Sequence, residues 1–163
     1  MGSVPDPRLI LSEEELDAAL ELLMLAEAGL WSMTDTALDA ESARLGRSHY
    51  RTLFLLKRRP GLGVRELARL TALSKQAASR TLGELEQLGL VGKSAGADAR
   101  RRPAVLTPEG VAMEARISER LRSHVARAYR AGGLDSVAGA RRILAALAGG
   151  RATPGRAEQE GGG

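Results

Sequence analysis

The sequence predicts a mainly α-helical chain carrying one small β-hairpin, and three observations predict it. Apolar residues fill 44% of the 163 positions but aromatics only 2%, so the core must be built from Leu, Ala and Val. Ala and Leu, with the abundant Arg and Glu, are strong helix formers. Aliphatic residues also recur at three- and four-residue spacings over long stretches, the period of a buried helix face. One segment breaks that period: LVGKSAGADARRRPAVL, at 90–106, places two short strand-like runs around a Gly/Ala/Asp-rich tip, which reads as a hairpin.

The elements follow in order. Residues 1–11 are a Pro-containing arm. Ser12-Glu13-Glu14-Glu15 is a capping-box pattern, with Ser12 as N-cap and Glu15 reaching back. Leu16, Leu20, Leu23 and Leu30 then mark one face of a long helix that ends between Trp31 and Ala43. Gly46 breaks the chain before a second helix, about Arg47 to Arg59, and Pro60-Gly61 stops it. A short helix from Val64 to Leu70 turns Val64, Leu67, Ala68 and Thr71 inward. The tight turn Thr71-Ala72-Leu73 leads to Ser74, the N-cap of a helix running to Leu88, with Gly89 as its C′ residue. After the hairpin, Thr107-Pro108 supplies an N-cap and a proline at the first helical position. Met113, Ile117, Leu121, Val125 and Ala128 stripe the helix that follows, and Gly132-Gly133 ends it. Val137, Ala140, Leu144 and Leu147 stripe a last helix. The tail 149–163 is too polar and glycine-rich to order itself.

Composition excludes several classes of function. The chain has no cysteine, which removes disulfides, thiolate metal sites and cysteine redox sensing. No apolar run approaches the roughly 18 residues a membrane span needs, and the N-terminus lacks the basic start and apolar stretch of a signal peptide. The expected location is the cytoplasm, with no membrane partner. Two histidines 75 positions apart make a poor metal site. No nucleophile–base constellation or glycine-rich phosphate loop is visible, so neither an enzyme nor a cofactor is expected.

Charge is segregated. Between Arg47 and Gly110 there are 13 Lys+Arg against 5 Asp+Glu, a net +8, while the rest of the chain is at −4. A cationic middle between anionic ends is what a module that docks on phosphates requires. Within it, SKQAASRTLGELEQLGL at 74–90 puts Ser74, Lys75, Gln76, Ser79 and Arg80 at the front of a helix. Lys75, Gln76, Ser79, Arg80 and Gly83 span an arc of about 140°, opposite Ala78, Thr81, Leu82 and Leu85. A charged outer face is also what any solvated surface helix shows. Helix, helix, tight turn, helix and then a basic hairpin, however, describe a winged helix-turn-helix, whose second helix presents its N-terminal residues to base edges. Gln pairs with adenine, and Arg or Lys with guanine. Asp98, Arg100, Arg101 and Arg102 at the hairpin tip stand where a wing meets a minor groove or the backbone.

The block from Gly46 to Gly110 resembles the MarR family of bacterial transcription regulators. The residues that carry this are VRELARLTALSKQAASRTLGELEQLGLV, the Asp98-x-Arg100 of the wing, and LTPEG at 106–110. A further likeness, in GRSHYRTL and SKQAASRTL, is to its PetP-like branch. The resemblance covers roughly residues 12 to 148. It implies a 12–45 dimerisation helix, a 46–106 winged helix-turn-helix, and 107–148 dimerisation helices that interlock with those of a second copy. It also implies double-stranded DNA as partner, at a pseudo-palindromic operator, with Ser74, Lys75, Gln76, Ser79 and Arg80 in the major groove and Arg100, oriented by Asp98, in the wing. Many such regulators bind a small-molecule effector between the dimer helices and the DNA-binding lobe; Trp31, His49, Tyr50, Phe54 and His124 are the candidates. Three of them have a plainer reading: Trp31 and His124 as interface residues, His49 as a capping or surface residue. The expected function is thus a dimeric repressor gated by an effector. A weakly specific architectural DNA-binding protein and a protein-interaction module are the alternatives. Three features depart from the family pattern. Ala72 stands where the turn often has glycine, Gly83 lies inside the reading helix, and Pro103 cannot donate in the second wing strand.

Overall fold

A computed structural model describes residues 9–42, 44–94 and 103–149. Six helices and a two-stranded sheet follow one another as α1 (Glu13–Glu41), α2 (Arg47–Arg58), α3 (Val64–Thr71), α4 (Lys75–Gln87), β1 (Val91–Lys93), β2 (Ala104–Leu106), α5 (Pro108–Gly132) and α6 (Leu134–Ala148). The local signals in the sequence act where they stand. The Ser12 hydroxyl accepts from the Glu15 amide at 3.2 Å, and the Glu15 carboxylate accepts from the Ser12 amide at 2.8 Å, a complete capping box. Thr107 caps α5 by accepting from the Gly110 amide at 3.0 Å, with Pro108 in the first turn, where its missing N–H is not needed.

Two helix ends set the geometry of the lobe that carries α3, α4 and β1. After α4, Gly89 adopts φ +71°, the Leu90 amide reaches back to Leu85 O at 3.0 Å, and the Gly89 amide to Glu86 O at 3.0 Å. This pair of bonds is a Schellman motif, sealed by Leu85 and Leu90, both in the core. After α3 the same six-residue closure occurs, Leu73 N to Ala68 O at 3.0 Å, but the left-handed residue is Ala72, at φ +56°. The departure from glycine in this turn is therefore accommodated with a side chain held in a costly conformation.

The core lies beneath the lobe. Leu38 of α1, Leu53 of α2, Leu67 of α3, Leu85 of α4 and Ile117 of α5 are all almost wholly buried. Each such side chain contributes about 1.5–3 kcal/mol of burial relative to exposure. The core thus runs across the boundaries expected at 46 and 106, taking in Thr34, Ala37 and Leu38 at one end and Ile117 and Leu121 at the other. β1 and β2 pair antiparallel with Val91 opposite Leu106 and Lys93 opposite Ala104. Pro103 precedes β2 opposite Ser94; its carbonyl accepts from the Ser94 amide at 3.0 Å, but without an N–H it cannot return the second bond of that pair, which suits a position at the end of the ladder.

The terminal helices are different. Leu16, Leu20, Leu23 and Leu30, the stripe on α1, are exposed, as are Leu144 and Leu147 on α6, which buries no residue at all. The α5 stripe divides, with Ile117 and Leu121 in the core and Val125 outside it.

Candidate nucleic-acid interface

The helix-turn-helix is assembled from one buried and one open face. Ala78, Thr81, Leu82 and Leu85 of α4 are buried, and so are Leu67, Ala68 and Thr71 of α3. Lys75, Gln76, Ser79 and Arg80 are exposed together at the opposite face. The division along the helical wheel is therefore realised at these residues, while Gly83, on the same arc, is half-buried. Ser74 has a local task as well, since its hydroxyl accepts from the Ala77 amide at 3.1 Å as the N-cap. Among the described residues a Cβ on Gly83 would meet nothing within 4 Å, so none of their contacts requires glycine there.

Ion pairs hold the helix at its rear. Glu86 binds Lys93 Nζ at 2.6 Å, tying α4 to the root of the wing. Glu84 lies within 3.6 Å of Arg80 Nε and 2.8 Å of His49 Nε2. The Asp98, Arg100, Arg101 and Arg102 cluster lies outside the described residues.

A second feature lies between α1, α2 and α5: a cleft of about 380 Å³. Three of the five aromatic and histidine candidates meet there, Trp31, Tyr50 and Phe54, with Leu30, Leu70 and Val125 as apolar wall and Arg51 and Arg122 as cationic groups. Tyr50 and Phe54 pack with ring centroids 5.9 Å apart and planes at 47°. The guanidinium groups of Arg47 and Arg51 lie 5.3 and 5.4 Å from the Trp31 ring centre, within cation–π range. The other two candidates are elsewhere. His49 caps α2, its Nδ1 accepting from the Gly46 amide at 2.9 Å, and faces α4. His124 is exposed on α5 and does not line the cleft.

Tyr50 links the cleft to a buried polar chain. The carboxylate of Glu114, 1% exposed, takes a hydrogen bond from the Ser118 hydroxyl and an ion pair from Lys57. The Ser118 oxygen is thereby left to accept from Tyr50 Oη at 2.9 Å. Burial raises the Tyr50 phenol above its ordinary value, and the Ser118 bond offsets part of that rise. The chain spans α2 and α5, and no sequence signal announces it, because its members are 57 and 68 positions apart. Arg51 and Arg122 were likewise invisible as cleft residues. Among the described residues no group of three His, Asp or Glu could hold a metal ion, and no helix is long and apolar enough to cross a membrane.

These features have relatives. The MarR family profile matches residues 45–102, from just before α2 past β1 and ending short of β2. The HTH-type transcriptional regulator PetP of Rhodobacter capsulatus is 36% identical over 140 residues, covering 85% of this chain and 83% of that one. Among solved structures, the MarR family protein Rv2887 of Mycobacterium tuberculosis in complex with p-aminosalicylic acid is 30% identical, covers 78% of this chain and 95% of its own, and superposes with a TM-score of 0.60. The same protein in complex with DNA is 28% identical, with 78% and 94% coverage and a TM-score of 0.59. A MarR family protein from Bacillus stearothermophilus, 18% identical, shares the fold at a TM-score of 0.69, over 85% of this chain and 96% of its own. By its sequence across most of its length and by its winged helix-turn-helix, this chain belongs to the MarR family of transcription regulators.

Proposed function

We propose that the protein is a homodimeric, sequence-specific repressor that reads DNA with the front of α4 and is released from it by a small aromatic anion in the cleft between α1, α2 and α5. The observation that carries the DNA reading is the open face of α4, where Lys75, Gln76, Ser79 and Arg80 are exposed side by side above a fully packed rear face. Gln and Arg are the side chains that take adenine and guanine edges bidentately. The arginines at 100–102, with Asp98, add the wing contact in this reading. Two copies are needed to cover the exposed leucines of α1 and α6, an apolar surface too continuous for a lone protomer. Two such copies suit a pseudo-palindromic operator.

The effector class follows from the walls of the cleft. Trp31, Tyr50 and Phe54 offer ring faces, and Arg51 and Arg122 offer charge to a carboxylate. The related Rv2887 has been solved with p-aminosalicylic acid and with salicylic acid, ligands of this chemistry. One experiment tests the reading: fragments bound from genomic DNA are selected, and the best duplex is titrated beside a random one, with and without salicylate. Gln76→Ala and Arg80→Ala should each cost about 1–3 kcal/mol on the selected duplex and less on the random one. Salicylate should weaken the first complex and quench Trp31, the one tryptophan of the chain. Equal losses on both duplexes would mean that these side chains meet only the backbone.

A further inference from the structure

Glu84 is a carboxylate on the helix that faces phosphates, one turn behind Arg80, and the sequence offers no reason for it there. An exposed ion pair on a helix surface adds little stability, and the order cation-then-acid at this spacing is the less favourable one. An acid in this place also weakens the attraction of α4 for DNA.

Its other partner supplies the reason. The His49 side chain is 12% exposed and held from both sides. Gly46 donates its amide to Nδ1 at 2.9 Å, so Nδ1 is the acceptor and Nε2 carries the hydrogen. Nε2 then donates to Glu84 Oε2 at 2.8 Å. The carboxylate is thereby tethered to the start of α2, 35 positions away, with its second oxygen turned to Arg80 Nε at 3.6 Å. Arg80 is itself 79% exposed, and an unrestrained arginine there would sample many rotamers before meeting DNA. The approach at Nε leaves the NH1 and NH2 edge for guanine O6 and N7.

We propose that His49 and Glu84 are positioning residues for Arg80, fixing its guanidinium so that it discriminates a base rather than serving as one more phosphate contact. The inference rests on α4 being the reading helix. It gives Glu84 opposite effects on two kinds of binding. Removing the charge strengthens attraction to DNA of any sequence and loosens the aim of Arg80.

The test is selection from a pool of randomised duplexes, sequenced for wild type, Arg80→Ala, Glu84→Gln and His49→Ala, with the affinity of each for the unselected pool measured alongside. Arg80→Ala should erase the preference at one base pair of each half-site. Glu84→Gln and His49→Ala should lower the preference at that same base pair about tenfold while the others stand, and Glu84→Gln should bind the unselected pool as tightly as wild type or more tightly. Retention of the Arg80 preference in both variants overturns the positioning role and leaves α4 as the reader. A uniform loss at every position also overturns it, since that is damage to the fold. If Arg80→Ala itself erases no preference, the reading of α4 fails, and the inference with it.

Discussion

Replacing Gly110 by alanine should destabilise the protein, although it places a better helix former in a helix. Gly110 is the third residue of α5, and a Cβ there would lie 1.9 Å from Leu90 O, 2.9 Å from Leu90 C and 3.3 Å from Leu90 Cα. All three are backbone atoms, so no rotamer change relieves the clash. The first turn of α5 must withdraw from the α4–β1 junction by about 1.5 Å to reach ordinary contact. That movement strains two bonds across the junction, Thr107 N to Leu90 O at 3.1 Å and Thr107 Oγ1 to Gly89 O at 2.7 Å. Each is worth roughly 0.5–1.5 kcal/mol, and forced repacking adds about 1–3 kcal/mol. Against this, alanine returns about 1 kcal/mol of helix propensity. The net expectation is a loss of about 3 kcal/mol, read from urea unfolding followed by circular dichroism at a fixed protomer concentration. Gly83→Ala is the internal control. It makes the same substitution inside α4, but its Cβ meets nothing within 4 Å among the described residues, and it should gain about 1 kcal/mol. A Gly110→Ala protein as stable as wild type would refute the claim that close backbone approach, rather than chain flexibility, is why glycine stands there.

Ala72→Gly should stabilise the turn between α3 and α4. Relief of an alanine held at φ +56° recovers about 1–2 kcal/mol, less about 0.4–1 kcal/mol for the freer unfolded chain, so a lower melting temperature in calorimetry would contradict the assignment. Tyr50 predicts an alkaline limit. Because burial raises its folded pKa, its contribution is complete below the ordinary tyrosine value of about 10 and is lost as pH rises through the raised one. Tyr50→Phe should therefore be less stable by about one hydrogen bond at neutral pH yet show a flatter decline above pH about 10; an unchanged slope in pH-dependent unfolding would count against a buried phenol.

The elements legible in the sequence were those whose partners lie within a turn of one another. Ser12 with Glu15, Ser74 with Ala77, Thr107 with Gly110, and the closure around Gly89 after α4 are contacts over three to five residues, and local chain geometry sets them. The face of α4 was legible for the same reason, since a helical period separates Ala78, Thr81, Leu82 and Leu85 from Gln76 and Arg80 wherever the helix is placed. The exposed leucines of α1 and α6 followed from period as well, but period could not say which part of α1 enters the core; Thr34, Ala37 and Leu38 do. Only the tertiary structure decided the rest. Residue type gathered Trp31, His49, Tyr50, Phe54 and His124 into one group, and packing separated them, because the docking of α2 on α4 and α5 determines where each ring points. The same docking brought His49 to Glu84, Tyr50 to Ser118 and Lys57 to Glu114 across 35, 68 and 57 positions. It also set Leu90 O where a Cβ on Gly110 would stand. Hydrogen bonds within a turn are fixed by the chain's own dihedrals; those between helices exist only once apolar burial has chosen how the helices cross, and the spacing of residues along one helix does not encode that choice.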